Sequence, residues 1–324
     1  MQEMMKVKAI ELLQNGTVAR VVGWATGDFV YDITPAVFES VEELEGGFVY
    51  NDFCAANLSK YMIAASRKEG KTLVFLKPCD TYSFLQLLKE HRIIRENVYV
   101  VGIECYGKVD VAKLEAAGLS GITGIKAEGS DFVVSTVYGD KKVAKWSLIG
   151  ERCLNCKSKK HVVYDELLGE EGDVEETDRF EMVAKLEAMT PDERFAFWQN
   201  ELSRCIRCNA CRNVCPACSC ETCVFDNPKS GVANKGAANS FEENLFHIIR
   251  AFHVAGRCTD CGECSRVCPQ NIPLHLLNRK FIKDINELYG DYQAGADMET
   301  RAPLNTYKTD DCEPGVVYER GGNA

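Results

Sequence analysis

The sequence of 324 residues lacks the glycine-rich motifs that bind nucleotide phosphates. No G-x-G-x-x-G stands at a strand-to-helix turn, and G-x-x-x-x-G-K-[ST] does not occur. The five histidines are scattered, and no Ser-His-Asp or paired-carboxylate arrangement stands out. The sequence therefore gives no support to a nucleotide site or to a catalytic site of these kinds.

Long apolar runs and a surplus of positive charge are also missing. No run approaches the ~18 apolar residues of a membrane span, and the net charge of -10 argues against nucleic acid or an anionic membrane surface as the main partner. The start, Met1–Lys6, leads into an amphipathic pattern rather than an apolar signal segment. We expect a cytoplasmic chain without a transmembrane segment, whose partners are proteins and small redox carriers.

Cysteine, by contrast, is abundant, with seventeen residues. In a reducing compartment such usage indicates metal or redox chemistry rather than a disulfide framework. Eight of these cysteines lie in two copies of one motif, C-x-x-C-x-x-C-x-x-x-C-P, at residues 205–216 and 258–269. This is the spacing of bacterial two-cluster ferredoxins, in which three thiolates of one copy and the fourth of the other hold each 4Fe-4S cube.

The motif therefore predicts two crossed ligand sets. The first set is Cys205, Cys208, Cys211 and Cys268, and the second is Cys258, Cys261, Cys264 and Cys215. Structural zinc is the alternative, but zinc usually takes two separated pairs of ligands. Disulfides fit the spacing less well still.

The order of predicted elements indicates an α/β domain at residues 1–165 and a mostly α-helical dicluster ferredoxin domain at residues 190–290. An acidic linker is expected at residues 166–189 and a polar tail at 291–324. Thr190 and Glu193 form a capping-box pattern that predicts a helix from Pro191 to Leu202. Further helices are expected from Ser240 and around Leu274–Tyr289, with a surface loop at 231–239.

Four more cysteines lie in the first domain. A strand, helix, strand order over residues 72–103 implies a parallel crossover, which puts Cys79 and Cys105 just past the carboxyl ends of neighbouring strands. Cys153 and Cys156 form a C-x-x-C. From the residues alone, either these four thiols form a third 4Fe-4S site, or Cys79 and Cys105 are ordinary buried cysteines and only the C-x-x-C is special.

A family resemblance bears on this choice. The pieces Lys77-Pro78-Cys79-Asp80, Glu104-Cys105-Tyr106-Gly107 and Cys153-Leu154-Asn155-Cys156, together with the dicluster motif, resemble the β-subunit family of coenzyme F420 (deazaflavin) reducing hydrogenases and formate dehydrogenases. The resemblance implies a cluster on Cys79, Cys105, Cys153 and Cys156. It also implies a flavin, FAD or FMN, although no flavin contact can be matched residue by residue.

Five cysteines remain outside these sets. Cys218, Cys220 and Cys223 follow the first Cys-Pro closely, and with Cys54 they would form a further metal site or remain free thiols. Cys312 is expected to be a bystander. His247 and His253 are expected to have surface or packing roles. Four arginines near the motifs would either raise cluster potentials or be surface charges: Arg207, Arg212, Arg257 and Arg266.

The leading hypothesis is an iron-sulfur electron-transfer subunit of a multi-subunit oxidoreductase from anaerobic metabolism, of hydrogenase, formate dehydrogenase or heterodisulfide reductase type. It would relay electrons between a catalytic module and a flavoprotein or ferredoxin. One alternative is a flavin-containing reductase subunit that uses a deazaflavin or NAD(P). Another is a zinc-stabilised scaffold without a redox role.

Overall fold

Two β-sheets and a set of helices make up the part of the chain that the computed structural model describes, which is residues 1–173, 177–227, 229 and 240–305. The strands are β1 (Arg20–Thr26), β2 (Ile33–Phe38), β3 (Thr72–Leu76), β4 (Val98–Ile103), β5 (Ile122–Glu128), β6 (Asp131–Thr136), β7 (Lys141–Ala144) and β8 (Glu166–Leu168).

The helices vary in length from one turn to four. They are α1 (Gln2–Gln14), α2 (Val41–Gly47), α3 (Met62–Ala65), α4 (Pro78–Lys89), α5 (Val111–Ala116), α6 (Lys145–Leu148), α7 (Glu151–Leu154), α8 (Glu181–Ala188), α9 (Pro191–Ser203), α10 (Ala210–Val214), α11 (Ser240–His253), α12 (Glu263–Arg266) and α13 (His275–Tyr289). Single 3-10 turns occur at Ser59–Tyr61, Arg95–Asn97 and Pro303–Asn305.

The main sheet has the order β2-β1-β3-β4-β8. Strands β1, β3, β4 and β8 run parallel, and only β2 is antiparallel. All five residues of β3 are buried, as expected for a central strand of a sheet that is covered on both faces. Helix α4 makes the crossover from β3 to β4, which confirms the expected α/β first half and brings the carboxyl ends of both strands to one edge.

The sheet extends further along the chain than expected. Strand β8 pairs with β4 through Val101 and Glu166, and helix α8 buries Val183 and Leu186, so the stretch predicted to be a solvated linker contains a strand and a helix. The acidic composition of this stretch gives no sequence signal for a strand, and the three-residue strand β8 is defined by its pairing with β4. The exact domain boundaries stay a prediction.

A second, three-stranded sheet has the order β5-β6-β7. The hairpin of β6 and β7 was expected from the sequence, whereas β5 was not. Strand β5 contains Gly124 and is mostly exposed, so it has little apolar alternation, and its register with β6 shifts between Ile122 and Gly124.

The second half is mainly helical in its described part. Helix α9 begins with the expected capping box, in which the Thr190 hydroxyl accepts from the Glu193 amide and the Glu193 carboxylate accepts from the Thr190 amide. The core of the second half of the chain includes Leu202, Phe246, Ile272 and Leu274. The expected loop at 231–239 and the tail from residue 306 lie outside the described residues.

The start of the polar tail packs against the rest of the chain. Tyr292, Ala294 and Ala302 are buried, and the Tyr292 hydroxyl donates to the Gly256 carbonyl at 2.8 Å. Gly295 has φ +73°, and a Cβ there would lie 2.0 Å from the Tyr82 carbonyl oxygen. Only glycine fits this approach, so residues 291–302 are held by their own chain. No helix in the described ranges is long and apolar enough to span a membrane.

Candidate metal centres

The two copies of the cysteine motif adopt the same backbone conformation. The third position of each copy, Arg207 and Asp260, has φ of 56° and 59°. The fifth position, Asn209 and Gly262, has φ of 62° and 66°. Left-handed residues turn the backbone sharply, and here they curl each loop before the short helices α10 and α12 carry the third cysteine.

The curled loops bring the cysteines together in the crossed arrangement. One small cavity, the first cavity, is lined by Cys205, Cys208, Cys211 and Cys268 and closed by Phe246, His247, Ile272 and Leu274. The second cavity is lined by Cys215, Cys258, Cys261 and Cys264. Each cavity therefore takes three cysteines from one motif copy and the fourth from the other.

The four cysteines of the first half also meet. Cys79 lies in the first turn of α4, Cys105 follows β4, Cys153 is in α7 and Cys156 follows it. All four line a third cavity of about 400 Å³. Cys261 lines both this cavity and the second one, so the two share a wall.

The donor set of the cavities suits a sulfur-ligated metal cluster. Burial raises the pKa of Cys79 and of Cys153, and burial together with Cys153 raises the pKa of Cys156 to about 12. Burial likewise raises the pKa of Cys211 to about 12. Buried thiols of this kind ionise when a metal replaces the proton. Within the described ranges, no three Cys, His, Asp or Glu side chains are arranged to hold a single metal ion.

Two polar side chains contact cysteines of the motif. His247 is 1% exposed, and its Nε2 lies 3.3 Å from Cys205 Sγ. Burial, with Arg250 and Arg207 nearby, lowers the pKa of His247 to about 3, so its imidazole is neutral. The Asn278 side-chain amide donates to Cys264 Sγ at 3.7 Å. The sequence suggested only a packing role for His247 and did not single out Asn278.

A buried charge cluster joins the first half to the second motif copy. Glu263 is fully buried and contacts Arg152, and it accepts from Arg266 Nε at 2.8 Å and from the Asn57 amide at 3.2 Å. Arg152 also donates to the Cys261 carbonyl at 2.9 Å. The Ser83 and Thr259 hydroxyls are 2.8 Å apart. These contacts hold the third cavity against the second.

The four arginines noted in the sequence all have oxygen partners. Arg207 donates to the Glu242 carbonyl at 2.9 Å, and Arg212 pairs with Asp226 at 2.8 Å. Arg257 donates to Glu90 at 2.7 Å, and Arg266 pairs with Glu263. The sequence analysis did not single out three further charged residues, because no sequence pattern predicts that a charged residue near cysteines is buried. These residues are Arg152, Glu263 and Arg250.

The remaining cysteines do not form one site. Cys54 is fully buried, and its thiol lies 3.7 Å from the Val49 carbonyl. Cys218, Cys220 and Cys223 line a separate open cavity that Cys54 does not reach. The structure therefore does not bring Cys54 to the other three. Cys312 lies outside the described residues.

Known proteins resemble this chain in sequence. A family model described as a 4Fe-4S dicluster domain matches residues 201–272. The "F420-dependent formate dehydrogenase subunit beta" of Methanocaldococcus jannaschii is 24% identical over 88% of this chain and 89% of its own length. The "F420-dependent formate dehydrogenase 1 subunit beta" of Methanococcus maripaludis is 26% identical over 90% of each chain.

A chain of the F420-reducing [NiFe] hydrogenase complex from Methanosarcina barkeri aligns with a TM-score of 0.39 and 16% identity, over 48% of this chain and 59% of that one. This similarity is too low to show a shared fold.

Proposed function

We propose that this chain, a homologue of the β subunits of F420-dependent formate dehydrogenases, is an iron-sulfur electron-transfer subunit of a multi-subunit oxidoreductase. It also contains a 4Fe-4S dicluster domain. Its partners would be a catalytic subunit of formate dehydrogenase or hydrogenase type and a flavoprotein or ferredoxin. The observation that carries the proposal is the crossed lining of two cavities by the eight motif cysteines.

The proposed ligands of the two clusters follow from the cavities. Cys205, Cys208, Cys211 and Cys268 would hold one 4Fe-4S cluster, and Cys215, Cys258, Cys261 and Cys264 the other. When bound, such a cluster supplies one-electron transfer at a potential set by hydrogen bonds, charge and burial. The protein's part is to keep water away with Phe246, Ile272 and Leu274 and to direct the His247 and Asn278 side chains at cysteine sulfurs.

A third 4Fe-4S cluster is proposed on Cys79, Cys105, Cys153 and Cys156. These thiols line one cavity, which also has the cationic side chains of Lys77 and Arg152 on its wall. Positive charge next to thiolates favours their ionised, metal-binding form. The wall shared through Cys261 supports a continuous route between the first half of the chain and the dicluster domain.

No described residue favours the remaining cofactor expectations. A metal at Cys218, Cys220 and Cys223 lacks a fourth thiol among the described residues that line their cavity. A flavin and a cytoplasmic location both stay predictions from the sequence.

The test is anaerobic reconstitution followed by iron and acid-labile sulfide quantitation. Three cubes of four irons each predict roughly twelve irons per chain. Replacing both Cys79 and Cys105 by Ser should remove about four of them, whereas the exposed Cys220→Ser control should remove none. A colourless protein without labile sulfide would refute the proposal. Zinc without iron would select the scaffold alternative, and bound flavin with intrinsic reductase turnover would select the reductase alternative.

A further inference from the structure

Arg250, on helix α11, is a buried cation that has no oxygen partner among the described residues. Its side chain is 2% exposed. None of its three guanidinium nitrogens has a hydrogen-bond partner in the described part of the chain. A buried guanidinium without a partner is strongly unfavourable, because it has lost its hydration and gained nothing in return. A compensating anion is therefore required close to it.

Helix α11 places Arg250 between the two cavities. One turn before it, His247 Nε2 lies 3.3 Å from Cys205 Sγ of the first cavity, and one turn after it, Val254 packs against Cys215 and Cys258 of the second. Arg250 also lines the open cavity of Cys218. Burial lowers the pKa of Arg250, but Cys264, Cys211, Cys215 and Cys218 in their ionised form raise it above its ordinary value.

This environment separates Arg250 from the other arginines of the second half. Arg207, Arg212, Arg257 and Arg266 each have an oxygen partner, as described above. Arg279, which is 1% exposed, donates to Asp260 at 2.9 Å and to Glu151 at 2.6 Å. In those cases carboxylates or carbonyls of the protein already offset the positive charge, whereas among the described residues no oxygen bonds to the Arg250 guanidinium.

We propose that Arg250 is the shared counter-charge of both clusters of the dicluster domain and raises the reduction potential of each. This inference rests on the proposed function, since it needs both clusters. A cube held by four thiolates is negative and becomes more negative when it takes up an electron. A fixed positive charge between the two cubes favours the reduced form of both, and the low dielectric of the interior strengthens the effect.

The experiment is an EPR-monitored redox titration of the reconstituted full chain. Arg250→Met should make the potentials of both dicluster centres more negative, with about a tenfold lower ratio of reduced to oxidised cluster at a fixed potential, which equals about 59 mV. Arg250→Lys, which keeps the charge, should shift both potentials less. The matched control is Arg194→Met, because the Arg194 guanidinium donates to the carbonyls of Leu186 and Glu187, and this variant should shift neither potential.

The iron content and the two potentials of the variants decide whether Arg250 acts as a counter-charge. If Arg250→Met binds as much iron as the wild type and keeps both potentials, or shifts only one of them, the inference is overturned. If Arg250→Met keeps its helical circular dichroism but fails to bind iron, Arg250→Lys decides, because recovered iron supports a charge role and equal loss contradicts it. If the wild-type chain itself binds no cluster, it is the proposed function that fails.

Discussion

At the residue scale, the hydrogen bonds to cysteine sulfur differ between the two motif cavities. The neutral His247 imidazole lies against Cys205 of the first cavity, and its Nδ1 has no hydrogen-bond partner in the ranges that the structure describes. The Asn278 amide lies against Cys264 of the second. A donor to a ligand sulfur withdraws negative charge from it and thereby favours the reduced state. Each donor serves one cavity only.

We predict that His247→Leu makes the potential of one dicluster centre more negative and leaves the other unchanged. The reason is that Leu fills the buried space but removes the donor to Cys205. Redox titration with EPR detection measures both centres in one sample. Asn278→Leu is the matched variant and should move the opposite centre. An equal shift of both centres by either variant would contradict this assignment.

At the element scale, local sequence signals predicted the long helices well. The capping box at Thr190 and the proline after it define the start of α9 within the chain. Short elements escaped prediction. Strand β8 has three residues, and α7 and α12 have four each, so they are fixed by tertiary contacts rather than by their own propensity. The ferredoxin-type spacing predicted which cysteines line each motif cavity, because in that pattern three cysteines of one copy and the fourth of the other face the same site.

We predict that Thr190→Ala destabilises the protein by about 1 kcal/mol, the usual value of an N-cap side chain. Urea unfolding followed by circular dichroism measures the change. Gln199→Ala, an exposed change in the middle of the same helix, should alter the stability much less. A stability equal to the wild type would mean that α9 is held entirely by its packing.

The Thr190 cap also makes the stability of the protein depend on pH. Hydrogen bonds from the Thr190 amide and hydroxyl hold the pKa of Glu193 below its ordinary value. The folded state therefore gains stability from this carboxylate above its unfolded pKa, and loses it as the pH falls through the folded pKa. In Glu193→Gln this acid-dependent loss should disappear, which unfolding experiments between about pH 6 and pH 3 would detect.

At the scale of the whole molecule, the two halves are joined by buried charges rather than by an apolar surface alone. Glu263 is fully buried between Arg152 and Arg266. Sequence reasoning could not find this junction, because Arg152 and Glu263 are 111 residues apart and neither belongs to a recognisable pattern. The grouping of the motif cysteines could be predicted because the spacing of the two copies is recognisable.

We predict that Glu263→Gln costs about 3 kcal/mol of stability, because removing one member of a buried ion pair leaves uncompensated charge behind. The exposed pair of Glu181 and Lys185 is the control, and Glu181→Gln should cost less than about 1 kcal/mol. Urea unfolding of the reconstituted proteins compares the two variants. Similar costs for both would show that the junction contributes no more than a surface pair.

The two motif copies also contact the first half in different ways. Lys60 meets the first copy at the backbone carbonyl of Arg212, at 3.3 Å, which any residue would offer. The second copy uses the side chains of Thr259 and Glu263. A chimera that carries a foreign ferredoxin loop at residues 205–216 would consequently keep its two halves docked, whereas the same graft at 258–269 would weaken the docking and leave it to contacts such as Arg257 with Glu90 and Arg279 with Glu151. Substitutions that accumulate in evolution should therefore be tolerated better in the first motif copy than in the second.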